Sequence, residues 1–355
     1  MDSTFDLLTL AFVPELGPRG AREILLRGPL AAALERPGLH ADILGPKALG
    51  ALRSGAARLA AEAELRRAGA LGVRVVGRDD RDYPPWLRRV HAPPPVLWVR
   101  GSLREGEGER AVAVVGARAA TGLGLAFARS LARDLAAAGL SVVSGLARGI
   151  DTFAHRGALD AQGRTVAVLG SGLDRLYPAE NAPLARAIEK DGAVVSEFPL
   201  GTGPWKQNFP RRNRVIAGWG SAVVVVEAGA RSGALSTARA ALDEGREVMA
   251  VPGHPSQPTA EGTNGLLRDG AALVRGAGDV LSELGMPAEP GVPTCLAGRT
   301  AADPVLSVLP PGDAASVDEI QARCGLALPA LVARLAELEL GGAVVRLAGA
   351  LFVRS

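Results

Sequence analysis

Ala111-Val112-Ala113-Val114-Val115 running into Gly116-Ala117-Arg118-Ala119-Ala120-Thr121-Gly122-Leu123-Gly124 is the stretch on which the fold turns. The apolar run is too short for a buried helix and rich in β-branched valine, as a strand covered on both faces should be. It ends in glycine and small residues, and a helical stretch over 123–138 follows. The same succession recurs. Apolar runs at 141–144, 165–169, 193–195, 222–226 and 247–251 alternate with helical stretches at 151–161, 181–190 and 234–244. This spacing predicts βαβ crossovers and a mostly parallel α/β sheet over residues 80–285.

The flanks read differently. Residues 1–75 suggest short helices broken by Gly and Pro, with Ala/Leu periodicity over 48–70. Residues 286–301, rich in Pro and Gly, read as a linker. Residues 302–355 suggest two helices, Val317–Arg323 and Leu328–Leu340. Gly341-Gly342 and the short runs Ala343–Leu347 and Leu351–Val353 follow. Two helices and a hairpin point to a winged helix, open to contacts with either nucleic acid or protein.

Bulk composition sets limits. A chain of 355 residues with 48% hydrophobic and 22% charged residues is globular and long enough for more than one unit. Two cysteines, Cys295 and Cys324, offer neither a disulfide framework nor a cysteine-rich zinc site. The acidic N-terminus lacks the marks of a secretory signal, and no apolar run of membrane-spanning length follows it. A soluble, cytoplasmic protein is expected. Net charge is only +3. Three of the 40 basic residues are lysine (Lys47, Lys190, Lys206), so 37 are arginine. Arginine's planar fork suits phosphate, but its abundance also follows from a GC-rich genome.

In a doubly wound sheet, ligands sit outside the carboxyl ends of the strands. Four such ends carry glycine and small hydroxyl residues: 116–124, then Ser144-Gly145-Leu146-Ala147-Arg148-Gly149, then Gly170-Ser171-Gly172, then Glu227 to Thr237 with Ser232-Gly233. Glycine admits close approach of an anion, and a helix N-terminus aims free N–H groups at it. The first loop is not G-x-G-x-x-G, because Arg118 stands at the second glycine, and no P-loop signature occurs. The rim suits phosphate without matching a cofactor fingerprint, so no cofactor is expected.

The segment Pro204-Trp205-Lys206-Gln207-Asn208-Phe209-Pro210-Arg211-Arg212-Asn213-Arg214 sharpens this. No acidic residue lies between Glu197 and Glu227, while Lys206, Arg211, Arg212 and Arg214 all do. Cations interleaved with rings are what an unpaired strand needs: charge for its phosphates and faces on which its bases stack. The same residues could also form a helix face paired with distant carboxylates.

These residues resemble the DNA-processing protein A (DprA/Smf) family. The resemblance runs through Tyr83-Pro84, Pro94-Pro95-Val96-Leu97, Val114 to Arg118, Ser144 to Asp151 with His155 and Gly157-Ala158-Leu159. It continues through Tyr177-Pro178, Ser196-Glu197, Phe209 to Arg214, Ser232-Gly233-Ala234 and Val251-Pro252-Gly253. It implies an extended Rossmann-like fold that binds and protects single-stranded DNA. It also implies help in loading the RecA recombinase during natural transformation, and homodimers. By this resemblance Arg118 would hold a backbone phosphate, while Lys206, Arg212 and Arg214 would line a basic groove. Phe209 would touch a base, and Asn213 would orient the loop or donate a hydrogen bond. Gly116, Ser144, Gly145, Arg148, Ser171, Gly172, Arg211, Ser232 and Gly233 complete the candidate set. The family usually has Ser or Thr where this chain has Ala117, and Ser where it has Thr121. Residues 1–75 resemble a SAM-like helical domain. Within it, Leu16 to Leu25 looks like a helix-hairpin-helix turn, a device that grips phosphates or simply joins packed helices.

An enzymatic alternative comes from the lysine-decarboxylase-like phosphoribohydrolases, which share this kind of rim. They carry Pro-Gly-Gly-x-Gly-Thr with a Glu soon after, whereas here the stretch is Ser232 to Arg239 with no carboxylate in that place. Asp151 and His155, four apart, read as an N-cap and a core histidine rather than a metal pair. Ser144 lacks the G-x-S-x-G elbow, and Ser196-Glu197 reads as structural. A non-catalytic binding protein is therefore expected, with no metal and no membrane contact.

Overall fold

The computed structural model describes residues 3–286, 303–309, 314–340, 343–347 and 351–354. The expected linker therefore lies outside the described residues apart from Met286, as do Cys295 and Gly341-Gly342.

Five helices open the chain: α1 (Thr4–Ala11), α2 (Gly17–Arg27), α3 (Leu30–Glu35), α4 (Pro46–Arg53) and α5 (Ala56–Ala70). Next come β1 (Arg74–Gly77), α6 (Pro85–Arg88) and β2 (Val96–Gly101). The alternating core is β3 (Ala111–Val115), α7 (Gly122–Ala137), β4 (Ser141–Ser144), α8 (Ile150–Asp160), β5 (Thr165–Leu169), α9 (Ala182–Ile188) and β6 (Ala193–Ser196). It continues with α10 (Asn208–Trp219), β7 (Ala222–Val225), α11 (Gly233–Asp243), β8 (Glu247–Ala250), α12 (Glu261–Arg268), β9 (Ala272–Leu273) and α13 (Ala277–Glu283).

One nine-stranded sheet results, in the order β1-β2-β6-β5-β4-β3-β7-β8-β9. From β6 to β9 every pairing is parallel, as the alternation predicts. The apolar runs that predict strands begin at residue 111. The structure adds β1 and β2, which extend the sheet antiparallel beyond β6.

Side-chain alternation divides the core between the two faces. Val112 and Val114 pack with Phe127 and Leu131 of α7, and Ile150 and Ala154 of α8. Ala113 and Val115 face the other way, into a cluster with Val215 and Ile216 of α10 and Ala238 of α11. With apolar cover on both faces, the strands need no polar alternation. The helical unit shares one core with the sheet: Leu7, Leu8, Ala61 and Ala68 cluster with Trp98, Leu169 and Val194.

The C-terminal unit comprises α14 (Pro304–Val308), β10 (Ala314–Ser316), α15 (Val317–Cys324), α16 (Leu328–Leu340), β11 (Val344–Leu347) and β12 (Leu351–Arg354). Its strands pair in the order β10-β12-β11. A reciprocal Ser316–Glu319 capping box starts α15, and Gly325 at φ 71° ends it. Helix α14 and strand β10 were not anticipated; the two long helices and the hairpin were.

Candidate nucleic-acid interface

The central strand β3 is flanked by β4 on one side and β7 on the other. Helix α7 leaves β3 on one face, and α10 arrives on the other on its way to β7. A crevice therefore opens above the ends of β3 and β7, where the winding reverses. A groove of about 1120 Å³ occupies this place. Its wall includes Gly116 and Arg118 from the first loop, and Lys206, Phe209, Arg212 and Asn213 from the 204–213 stretch. Arg231, Ser232 and Gly233 close the far side.

Phe209, in the first turn of α10, is the hub of the polar end. The guanidinium of Arg118 lies 5.1 Å from its ring centroid and that of Arg212 lies 6.0 Å away. Tyr177 packs against it at 6.0 Å between centroids, tilted by 56°. Between these rings is a small cleft bordered by Arg118, Gly145, Arg148, Tyr177 and Phe209, with Arg212 beside them. Two cations around one ring hold it electrostatically and leave an edge for a second planar group.

The cations fall into two kinds. Arg118, Lys206, Arg211 and Arg231 are exposed and have no carboxylate partner among the described residues. Arg211 instead covers the Phe198 ring at 5.0 Å. Arg212 is only 4% exposed and donates through Nη1 to the carbonyls of Gly145, at 2.8 Å, and Val168, at 2.5 Å. Burial pulls its pKa down to about 10, opposed by the carboxylate of Asp151. Asp151 in turn accepts from the N–H groups of Gly145 and Ala147 at 3.1 and 3.3 Å, and burial pushes its carboxyl above the usual range. Asp151 does not cap α8, as the sequence reading expected. It lies inside the first turn and binds the preceding loop, and the cap position is Gly149.

The acid-free 198–226 segment suggested four cations free to meet phosphate. The structure separates them, because 208–219 is a helix whose turn sends neighbours to different sides. Arg214 turns inward to form an ion pair with Glu197 and donate to the carbonyl of Ala92. Asn213 donates to Ser236 Oγ at 2.7 Å and accepts from Arg212 Nε at 3.2 Å, tying α10 to α11.

Other candidates take supporting places. Ser144 Oγ donates to the carbonyl of Val114 at 2.7 Å, and Ser171 Oγ to that of Arg175 at 2.8 Å; both side chains are buried. Gly172 donates its N–H to Thr202, and a Cβ on it would meet the backbone of Pro199. These three hold loops and do not border the groove. Arg148 is exposed and paired with Glu180. Ser232 accepts from Ala234 N at 3.3 Å and caps α11.

Tyr177, Arg231 and Glu227 were not among the sequence candidates. Tyr177 and Arg231 stood in quoted stretches but far from the basic segment, so nothing in the one-dimensional spacing placed them together. His155 is fully buried, with Nδ1 2.7 Å from Thr165 Oγ1. No helix among the described residues is long and apolar enough to cross a membrane.

Comparison with known proteins agrees with this architecture. The profile of a family described as DNA recombination-mediator protein A matches residues 74–285, and one described as the DprA winged helix domain matches residues 297–350. The Smf protein of Escherichia coli is 40% identical over 284 residues, covering 78% of this chain and 76% of its own. The crystal structure of DprA from Streptococcus pneumoniae superposes with a TM-score of 0.67 at 33% identity, over 81% of this chain and 100% of that one. A Helicobacter pylori DprA structure described for its single-stranded DNA binding mode gives 0.54 at 27% identity, over 60% and 95%. With its sheet order, its groove and its C-terminal winged helix, this chain belongs to the DNA recombination-mediator protein A (DprA/Smf) family.

Proposed function

We propose that this chain binds single-stranded DNA along the groove above β3 and β7 without processing it chemically. One observation carries the reading: exposed Arg118, Lys206 and Arg231, free of carboxylate partners among the described residues, line one groove with Phe209 at a Rossmann switch point, Arg118 lying over the ring. The cations meet phosphates, and the Phe209–Tyr177 pair offers bases an aromatic surface. Gly233 and the Ser232 cap let backbone approach the strand, while Gly116 and Gly145 leave room for Ile150 and Arg212. Arg212 and Asn213 set the ring and the loops in place. Lys206 and Arg211 extend the charge along the entry side of α10.

The non-catalytic half rests on how the reactive side chains are held. Ser144 donates to the Val114 carbonyl, Asp151 accepts from loop N–H groups and faces Arg212, His155 bonds Thr165 and Glu197 pairs with Arg214. Family membership supports a cytoplasmic role in recombination and natural transformation, with protection of incoming strands, RecA loading and a homodimeric state. Binding of fluorescent oligo-dT, measured by anisotropy against salt, tests the core of this reading. Affinity should fall steeply with salt, depend little on base sequence and exceed that for duplex of equal length. Equal affinity for duplex, or none for single strands, would sink it.

A further inference from the structure

The groove sits where a dinucleotide fold would seat a pyrophosphate, yet the chain has filled that seat itself. Glu227 follows β7 and reaches across to the start of α7. Its Oε2 accepts the backbone N–H of Thr121 at 3.0 Å, and its Oε1 accepts the Thr121 hydroxyl. Thr121 Oγ1 in turn accepts the N–H of Gly124 at 3.0 Å. Two of the donors at this helix start, the N–H groups of Thr121 and Gly124, are therefore committed to a carboxylate and its threonine partner. The residue is only 9% exposed, so its charge is held against the helix dipole and away from solvent.

The glycines of the loop tell the same story. A Cβ on Gly124 would come within 2.5 Å of Glu227 Cδ, and one on Gly116 within 3.0 Å of the Glu227 carbonyl oxygen. In a nucleotide-binding turn such glycines clear room for the ligand. Here they clear room for the protein's own groups: the Glu227 carboxylate at Gly124, and Ile150 with the Glu227 carbonyl at Gly116. An arriving phosphate would meet a buried negative charge, whereas Arg118, Lys206 and Arg231 wait farther out on the exposed wall.

We propose that Glu227 is a built-in anion that closes the nucleotide-phosphate position of this fold and so makes the site reject free nucleotides. Phosphate then binds only on the outer cations, where an extended backbone reaches several at once and a single nucleotide does not. This goes beyond the proposal of strand binding and does not depend on it.

The test is calorimetric titration of pyrophosphate and ADP into the full-length protein and its Glu227→Gln and Glu227→Ala variants. Oligo-dT affinity is measured in parallel, and circular dichroism checks the fold. Removing the carboxylate should strengthen pyrophosphate and ADP binding by about tenfold or more. Oligo-dT affinity should change far less, and the gain should persist in an added Arg118→Ala background. Four results would overturn the proposal. Folded variants could show no gain. The gain could vanish with Arg118, placing it on the outer wall. Oligo-dT could gain as much as ADP, which is general electrostatics. Or both variants could fail to fold, which makes Glu227 a structural requirement. Failure of the unmodified protein to bind oligo-dT would count against strand binding alone.

Discussion

Arg118 and Arg212 attend the same ring from different environments, and the difference decides what each substitution should do. Arg118 is exposed and lies over the Phe209 ring without a carboxylate partner among the described residues. Arg118→Ala should leave stability within about 1 kcal/mol of the parent, the size of one exposed cation–π contact. It should weaken oligo-dT binding across all sequences and lower the salt slope by about one. Arg212→Ala removes donors from two buried carbonyls and leaves the buried Asp151 carboxyl without its cation. A loss of about 3 kcal/mol is expected, read as a lower denaturation midpoint. His155 gives a pH signature of the same local kind. Burial pulls its pKa down to about 3, against about 6.5 unfolded, so the unfolded chain takes up the proton first. Its contribution is whole above about pH 6.5 and is lost as pH falls towards 3. Asp151 and Glu197, raised by burial, act in the opposite sense, so only a difference isolates the histidine. Between pH 7 and 5 the parent should lose about 2 kcal/mol more than His155→Gln. Parallel curves in urea would show that another group carries the dependence.

Helices α7 and α8 pack tightly at Gly157, where an added Cβ would sit 2.8 Å from the carbonyl carbon of Arg129 and nearer still to its oxygen. Backbone cannot yield as a flexible side chain does. Gly157→Ala should therefore cost about 1–3 kcal/mol by overpacking, although alanine favours helix more than glycine does. A stability equal to the parent's would mean that the two helices slide apart freely. This glycine belongs to a stretch that the sequence offered only as resemblance; its physical reason appears once the two helices are packed. Elements follow the same division. Strands from Ala111 to Ala250 were legible because cover on both faces makes each an unbroken apolar run. Strands β1 and β2 were not: β2 follows Pro94 and Pro95 and looks like loop until Trp98 and Val99 pair with β6, and the four residues of β1 gain a partner only in β2. Helix α10 hid behind its chemistry. Its basic and aromatic residues attracted a reading by charge, and charge along a chain does not say that Arg214 turns towards Glu197 while Arg211 stays outside. Glu227 was visible as the residue ending a valine run, but its role depends on Thr121, 106 positions away.

Across the whole molecule, the outer units differ in how they are built in. The winged-helix unit has a core drawn entirely from its own residues, among them Val305, Ile320, Leu331, Leu335 and Phe352. The core of the helical unit instead runs on into that of the sheet. Leu7 and Leu8 of α1 and Ala61 of α5 complete the cover over Leu169, Val194 and Trp98. Polar ties reinforce the join: buried Glu64 accepts the N–H of Leu200 at 2.7 Å, and Arg67 pairs with Asp174 at 2.6 Å. Removing residues 287–355 should therefore leave the melting midpoint of the remainder unchanged. Removing residues 1–73 should strip one face of the sheet and yield a protein that aggregates or binds a hydrophobic dye, because exposed apolar area of that extent is not tolerated by a stable monomer. Thermal melts and dye binding of the two truncations distinguish these outcomes. A cooperative, dye-negative fragment starting at residue 74 would show that the sheet closes without its helical cover. A wing deletion that lowers the midpoint would show that the C-terminal unit braces the sheet as well.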